Sequence, residues 1–189
     1  MNYQKKIARL SSFLRLVSIF FIIIVPLVYA AYWITNGFSF LPKDQFFSLE
    51  LLHQVADVEM MPLEKMPSYM KLFGFLVMLL PLGVFEITMY FFIRLLNLFK
   101  RLIIFSKLNV KLIKYIGITI LVGQLIVHPI YSALISLVMT FLNPPGERMI
   151  NIYFGTSEFV LIGIGLIVML IAYIMEEGYE IYEEQKYVI

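Results

Sequence analysis

Glu86, Gln124 and His128 are polar side chains inside long apolar stretches, and they are the residues of this sequence best placed to do chemistry. Glu86 stands within GVFEITMYFF, and Gln124 and His128 are four residues apart, which places them on one face of a helix. A charged carboxylate at the centre of a bilayer costs roughly 2.5–3.5 kcal/mol, so we expect Glu86 to face the protein interior and to have a partner.

The depths of these residues along their helices are comparable. At about 1.5 Å per residue, Glu86 lies about 12 Å from Arg94 or about 21 Å from Lys100. Counted in the same way from Lys114, the two partner residues lie about 15 and 21 Å deep. We therefore predict that Glu86 pairs with the Gln124/His128 face. Three roles for Glu86 stay open. It could form a neutral hydrogen-bonded contact between helices, or it could belong to a site for a ligand, ion or proton. It could also form a lipid-facing or oligomer contact.

Motifs of enzymes and metal sites are missing from the sequence. It contains no nucleotide-binding loop, no G-x-S-x-G and no H-E-x-x-H. Zero cysteines exclude thiolate metal sites, and one histidine beside one carboxylate is an incomplete metal site. We expect no catalytic residue, no metal and no cofactor.

Four apolar runs must position the polar residues. Hydrophobic residues make up 61% of the chain and charged residues only 15%, which is more apolar material than a soluble domain buries. Each run is near the ~20 residues that a helix needs to cross ~30 Å of hydrocarbon. The sequence predicts an all-α polytopic membrane protein, a four-helix transmembrane bundle forming a single integral membrane domain, 1–189. The predicted helices cover about 13–36, 69–99, 113–142 and 158–184, with an outer loop 37–68 and a cytoplasmic connection 100–112.

Two details of the first half refine this picture. The apolar pattern of the outer loop indicates a short amphipathic helix on the membrane surface. Tyr29, Tyr32 and Trp33 gather at the far end of the first helix, which is typical of an aromatic belt at the opposite interface.

Basic residues predict the orientation. The segments on the side of the two termini carry 11 of the 15 Lys and Arg residues. Because Lys and Arg in short flanking segments are retained in the cytoplasm, we predict that both termini are cytoplasmic.

Two charged stripes lie on the predicted cytoplasmic face. Residues three and four apart on a helix are neighbours, so each set lies on one side of its helix. They could contact anionic lipid and solvent, form an intramolecular ion-pair clasp, or dock a soluble partner. The stripes consist of Lys107, Lys111 and Lys114, and of Glu176, Glu180 and Glu183, with Glu184 beside them.

The same face carries the most specific sequence motif in the chain. It consists of Phe105, Ser106 and Asn109, followed by Gly117 at the start of a helix. This pattern, with Gly178 and the later Glu-Glu-Gln at 183–185, resembles a bacterial membrane family catalogued as domain of unknown function 2975. The chain departs from that family at Leu102, where a glycine is common, and in its last residues, KYVI. The resemblance implies a four-helix integral membrane protein with no established enzymatic activity, whose members are often encoded beside a small helix-turn-helix regulator.

Together these observations predict a sensory or regulatory protein of the bacterial inner (cytoplasmic) membrane, multi-pass and without catalysis, that contacts a cytoplasmic regulator. The alternative is a small transporter or immunity-type protein that uses the polar site around Glu86. The expected partners are the lipid bilayer and a small helix-turn-helix regulator, and a homo-oligomer stays open. Direct nucleic-acid binding is disfavoured because basic residues are few and the tail is acidic.

Overall fold

The computed structural model describes residues 2–35 and 65–186, and nearly all of them are helical. The predicted all-α class is confirmed, and four helices are long and apolar enough to cross a membrane. The predicted surface helix in the outer loop lies outside the described residues. The elements are α1 (Asn2–Ile34), α2 (Ser68–Lys100), α3 (Lys107–Val122), a π-helical turn (Gly123–Val127), α4 (His128–Thr140) and α5 (Thr156–Lys186).

The third span combines α3, the π-helical turn and α4 into one rod, Lys107–Thr140, of 34 residues. It begins six residues before the predicted start because Ser106 caps it, its side chain accepting a hydrogen bond from the Asn109 amide. The first helix begins at Asn2, well before the predicted residue 13. The connection between the second and third spans is therefore only 101–106.

The principal helix contacts run in chain order: α1 packs against α2, α2 against the third span, and α3 against α5. Two buried apolar clusters follow from this packing. One cluster joins Trp33, Met78 and Ile135 at one end of the molecule. The other joins Leu95, Leu112 and Ala172 towards the end that carries most of the basic residues, called the basic end below.

Trp33 belongs to the core and not to an exposed aromatic belt, which corrects the prediction for this residue. Its side chain is only 6% exposed, and its indole N–H donates to Met78 Sδ at 2.6 Å. Gly74 of α2 permits this burial, because a Cβ at position 74 would overlap the indole ring. Tyr29 and Tyr32 pack against the same cluster and are half-buried.

Candidate functional site

The π-helical turn places His128 where the third span changes its winding. The His128 N–H bonds to Gly123 O, five residues back. Pro129 follows, and it has no N–H and would clash with the preceding turn of a regular helix. The wider π turn accommodates the proline, and turns of this kind are frequent at functional sites.

His128 contacts Glu158 of α5 across the boundary between the third and fourth spans. Its Nε2 lies 3.5 Å from Glu158 Oε1, and the two side chains are only 13% and 8% exposed. The rings of Tyr131 and Phe154 lie 6.2 and 6.3 Å from the imidazole, centroid to centroid. The pair is therefore enclosed by apolar and aromatic groups, where an ionisable contact is costly and usually functional.

Glu158 is held in place by the first turn of α5. It is the third residue of that helix, and its Oε2 accepts from the Gly155 N–H at 2.7 Å while Oε1 accepts from the Ser157 hydroxyl at 2.9 Å. A carboxylate at this position satisfies an amide that the helix cannot, and it is favoured by the positive end of the helix dipole. Glu158 was not among the predicted site residues, although a carboxylate three residues after Gly155 and just before an apolar run is a helix-start pattern that could have identified it.

Three buried hydroxyls on one face of α4 form a hydrogen-bonded ladder with the segment that returns to α5. Ser132, Ser136 and Thr140 are each at most 2% exposed. Each accepts a backbone N–H from the returning chain: Ser132 from Tyr153, Ser136 from Asn151 and Thr140 from Met149, at 3.3, 2.8 and 3.0 Å. We call this set of contacts the hydroxyl ladder.

The hydroxyl ladder explains why α5 begins level with His128. Alternate N–H groups of the returning segment face α4, as alternate residues of an extended chain do. That segment therefore runs back along the helix from Thr140 towards Ser132 before α5 starts at Thr156. Without this return, Glu158 would lie near the end of α4, and it could not reach the imidazole.

Glu86 and the Gln124/His128 face do not pair as predicted. Glu86 Oε1, Gln124 Oε1 and His128 Nδ1 are buried atoms that have no hydrogen-bond partner in the described part of the chain. Val84 packs where a Cβ of Gly123 would lie, which fixes the register of α2 against the third span. From that point Glu86 lies two residues towards the basic end and His128 five residues away from it, so they are about 10 Å apart along the helix axes.

One ion pair joins the two charged stripes at the basic end. Lys114 Nζ lies 2.5 Å from Glu176 Oε2, and it also lies over the Tyr173 ring at 4.7 Å. The pair is partly exposed, which limits its contribution to about 0–1 kcal/mol. Of the other residues of the stripes, Lys107, Lys111, Glu180 and Glu184 are exposed, and Glu183 is half-buried.

The Phe-Ser-Asn motif at 105–109 stabilises the turn between α2 and α3. Besides the Ser106 cap, the fully buried Asn109 donates its side-chain amide to the carbonyls of Ile103 and Ile104, at 2.8 and 2.6 Å. The N–H groups of Leu102 and Ile103 bond back to Phe99 and Leu98, the pattern of a Schellman motif. Leu102 has a φ of 61°, a left-handed conformation that favours glycine.

No group of three His, Asp or Glu side chains able to hold a metal occurs within residues 2–35 and 65–186. The expectation of no metal and no cofactor stays a prediction. The candidate site is thus the His128–Glu158 contact, with the unpaired Glu86 and Gln124 deeper along the helices.

Comparison with known proteins identifies a family but no relative of known activity. No curated protein and no solved structure matches the chain. A family model described as "Protein of unknown function (DUF2975)" matches residues 59–189, which include three of the four spans and both polar contacts between the third and the fourth. The chain therefore belongs to the DUF2975 family.

Proposed function

We propose that this protein is a sensory or regulatory component of the bacterial cytoplasmic membrane, with both termini in the cytoplasm and a soluble regulator as its partner. The orientation rests on the excess of Lys and Arg at the basic end, which the positive-inside rule assigns to the cytoplasm. The membrane placement rests on the four apolar helices. The basic end is then the surface that a cytoplasmic protein reaches.

The observation that carries this proposal is that the third and fourth spans are joined by two polar contacts, one towards each end. His128 contacts Glu158 in apolar surroundings, and Lys114 contacts Glu176 at the basic end. Both contacts depend on the same register between two antiparallel helices. A signal that shifts the register at the buried contact therefore also alters the exposed one, which is the coupling that a sensor requires.

The output surface consists of charges that the fold leaves exposed. Lys107 and Lys111 lie on α3, and Glu180 and Glu184 lie on the neighbouring α5. A surface with both signs side by side suits a protein partner, because complementary charges orient the encounter and reject wrong partners. Carboxylates do not favour binding to anionic lipid, so a purely lipid-binding role does not account for them.

Affinity purification of the full chain from native membranes tests the proposal. A small helix-turn-helix protein should copurify with the wild type and be lost from the Lys107→Glu/Lys111→Glu variant. The matched control is Lys5→Glu/Lys6→Glu, which reverses two exposed charges on α1 and should keep the partner. His128→Ala should weaken retention although it lies far from the surface. Equal recovery of the partner with all variants, or no soluble partner with the wild type, would refute the proposal.

A small transporter or immunity-type protein is the second candidate, and a different observation favours it. The unpaired atoms of Glu86, Gln124 and His128 are buried within the spans, where polar groups normally have partners. Such atoms can bind a ligand, an ion or a proton. This candidate uses the interior of the protein and needs no cytoplasmic partner.

Flux measurements in proteoliposomes test the second candidate. Glu86→Gln should abolish ion- or pH-dependent flux while leaving the folded yield unchanged. Thr88→Val is the matched control, because Thr88 lies on the same helix and its hydroxyl bonds only to the Val84 carbonyl. A large loss of folded yield in Glu86→Gln would identify Glu86 as a structural contact, and absence of flux in the wild type would end this candidate.

A further inference from the structure

A cavity of about 330 Å³ opens at the basic end between α2 and α3. Its volume is at the lower end of the roughly 300–1,000 Å³ typical of small-molecule sites. It lies apart from the His128–Glu158 contact, and none of its residues belongs to the charged stripes. Its lining consists of Arg94, Asn97, Leu98, Arg101, Leu108 and Leu112.

One wall of this cavity is cationic. Arg94, Asn97 and Arg101 are spaced three and four residues apart, so they lie on one face of α2 and its C-cap. Arg15 of α1 is outside the lining but contacts it, its Nη1 donating to Asn97 Oδ1 at 2.8 Å. That bond occupies the carbonyl oxygen of Asn97, and its amide nitrogen stays available as a further donor.

The positive charge of this wall is not neutralised by the protein. Arg94 contacts the Tyr90 ring and its hydroxyl, at 5.7 Å and 3.4 Å, which are uncharged groups. In the described part of the chain, neither Arg94 nor Arg101 forms an ion pair with a carboxylate, and no acidic residue lines the cavity. Guanidinium groups in this arrangement match the oxygens of a phosphate, which they bind with paired hydrogen bonds.

The rest of the lining is apolar, and this decides the class of ligand. Leu98, Leu108 and Leu112 complete the cavity, with Leu112 only 2% exposed. A free phosphate has no apolar surface that could pack against the leucines, whereas a phospholipid carries a glycerol and acyl chains beside its phosphate. The cavity is also at the end of the spanning helices, where lipid headgroups lie.

We propose that this cavity binds the phosphate of an anionic membrane lipid, with Arg94 and Arg101 on the phosphate and the leucines against the apolar part of the lipid. Asn97 connects the site to α1 through Arg15, so an occupied site holds the first three spans together at the basic end. The proposal does not depend on the function proposed above.

Native mass spectrometry of the purified full chain tests the lipid site. Phosphatidylglycerol is titrated against phosphatidylcholine with the same acyl chains, and inorganic phosphate is added as a competitor. We expect one tightly bound phosphatidylglycerol, weakened about 30-fold in Arg94→Gln/Arg101→Gln, or roughly five- to sixfold for each guanidinium. Phosphatidylcholine should bind weakly to both proteins.

Lys100→Gln is the matched control, because Lys100 is exposed, adjacent to Arg101 and outside the cavity lining. It should leave phosphatidylglycerol binding unchanged, and equal weakening in the control and the double variant would overturn the proposal. Inorganic phosphate that binds as tightly as the lipid would overturn the lipid assignment. If the double variant fails to fold, Leu108→Phe narrows the cavity without changing its charge, and full lipid binding by that variant would also contradict the site.

Discussion

Glu158 Oε1 lies 3.5 Å from His128 Nε2, so the first turn of the fourth span is in contact with the π-helical turn of the third. Glu158 also satisfies the amide of Gly155, so it has a structural role in addition to the contact with the imidazole. The two roles can be separated by mutation.

A double-mutant cycle with Glu158→Ala and His128→Ala should give a coupling free energy of about 0.6 kcal/mol, within the upper bound of about 1.7 kcal/mol for polar contacts in membrane proteins. Glu158→Ala alone should cost more, about 1–2 kcal/mol, because it also removes the cap at Gly155. Denaturant unfolding in detergent, followed by circular dichroism, measures all four proteins. A coupling indistinguishable from zero would show that the contact contributes nothing to stability.

Gly74→Ala should destabilise the protein by about 1–3 kcal/mol, because the new Cβ overlaps the indole ring of Trp33. Trp33 is the single tryptophan of the chain, so its fluorescence emission should shift to longer wavelength as the ring is displaced. The matched control is Gly83→Ala on the same helix, where the added Cβ meets no described atom within 4 Å beyond its chain neighbours and its own helix backbone. It should be neutral or stabilising by up to about 1 kcal/mol. Unchanged emission in Gly74→Ala would contradict the packing of Trp33.

Leu102→Gly should stabilise the protein by about 0.5–1 kcal/mol. A left-handed residue other than glycine costs roughly 1–2 kcal/mol, and the extra freedom of glycine in the unfolded chain returns about half of that. Leu102→Ala keeps the strained conformation and serves as the control, because the leucine side chain is 41% exposed and loses little packing. The midpoint of thermal unfolding should rise for glycine only. Equal midpoints for glycine and alanine would refute the conformational argument.

Ser136→Ala should cost about 1–3 kcal/mol, because the Asn151 N–H loses its acceptor in the hydroxyl ladder. Ser18→Ala on α1 is the comparison: this serine is equally buried, but its hydroxyl bonds only to the Leu14 carbonyl of its own helix. It should change stability by less than about 0.5 kcal/mol. Hydrogen exchange should show faster exchange of the Asn151 amide in Ser136→Ala alone. Unaltered protection there would exclude the ladder as the acceptor.

The four spans could be predicted because hydrophobicity and length suffice to identify membrane helices. Helical spacing also placed Lys114 and Glu176 on stripes that could face each other, and the structure joins these two residues. Val84 packing at Gly123 puts Arg94 of α2 level with Lys114 of α3, whereas the depth of Glu86 in a membrane stays a prediction.

Other features depend on contacts between distant parts of the chain, which spacing alone does not encode. Trp33 is buried only because Gly74, on another helix, leaves room for its ring. Glu158 reaches His128 only because the hydroxyl ladder returns the chain along α4. The π turn at Gly123–Val127 is likewise absent from the regular helical periodicity of the sequence.

Along the hydroxyl ladder, the spacing of the hydroxyl groups on α4 nearly matches the spacing of the N–H groups on the return segment. Four residues of helix rise about 6.0 Å, whereas two residues of extended chain span about 6.6 Å, so helix and return segment drift apart by about 0.6 Å per rung. The mismatch is small enough for three successive hydrogen bonds, of 3.0, 2.8 and 3.3 Å, to form between them. The near match of the two rises thus lets the return segment bond at three successive levels of α4, and it sets the level along α4 at which the last helix begins.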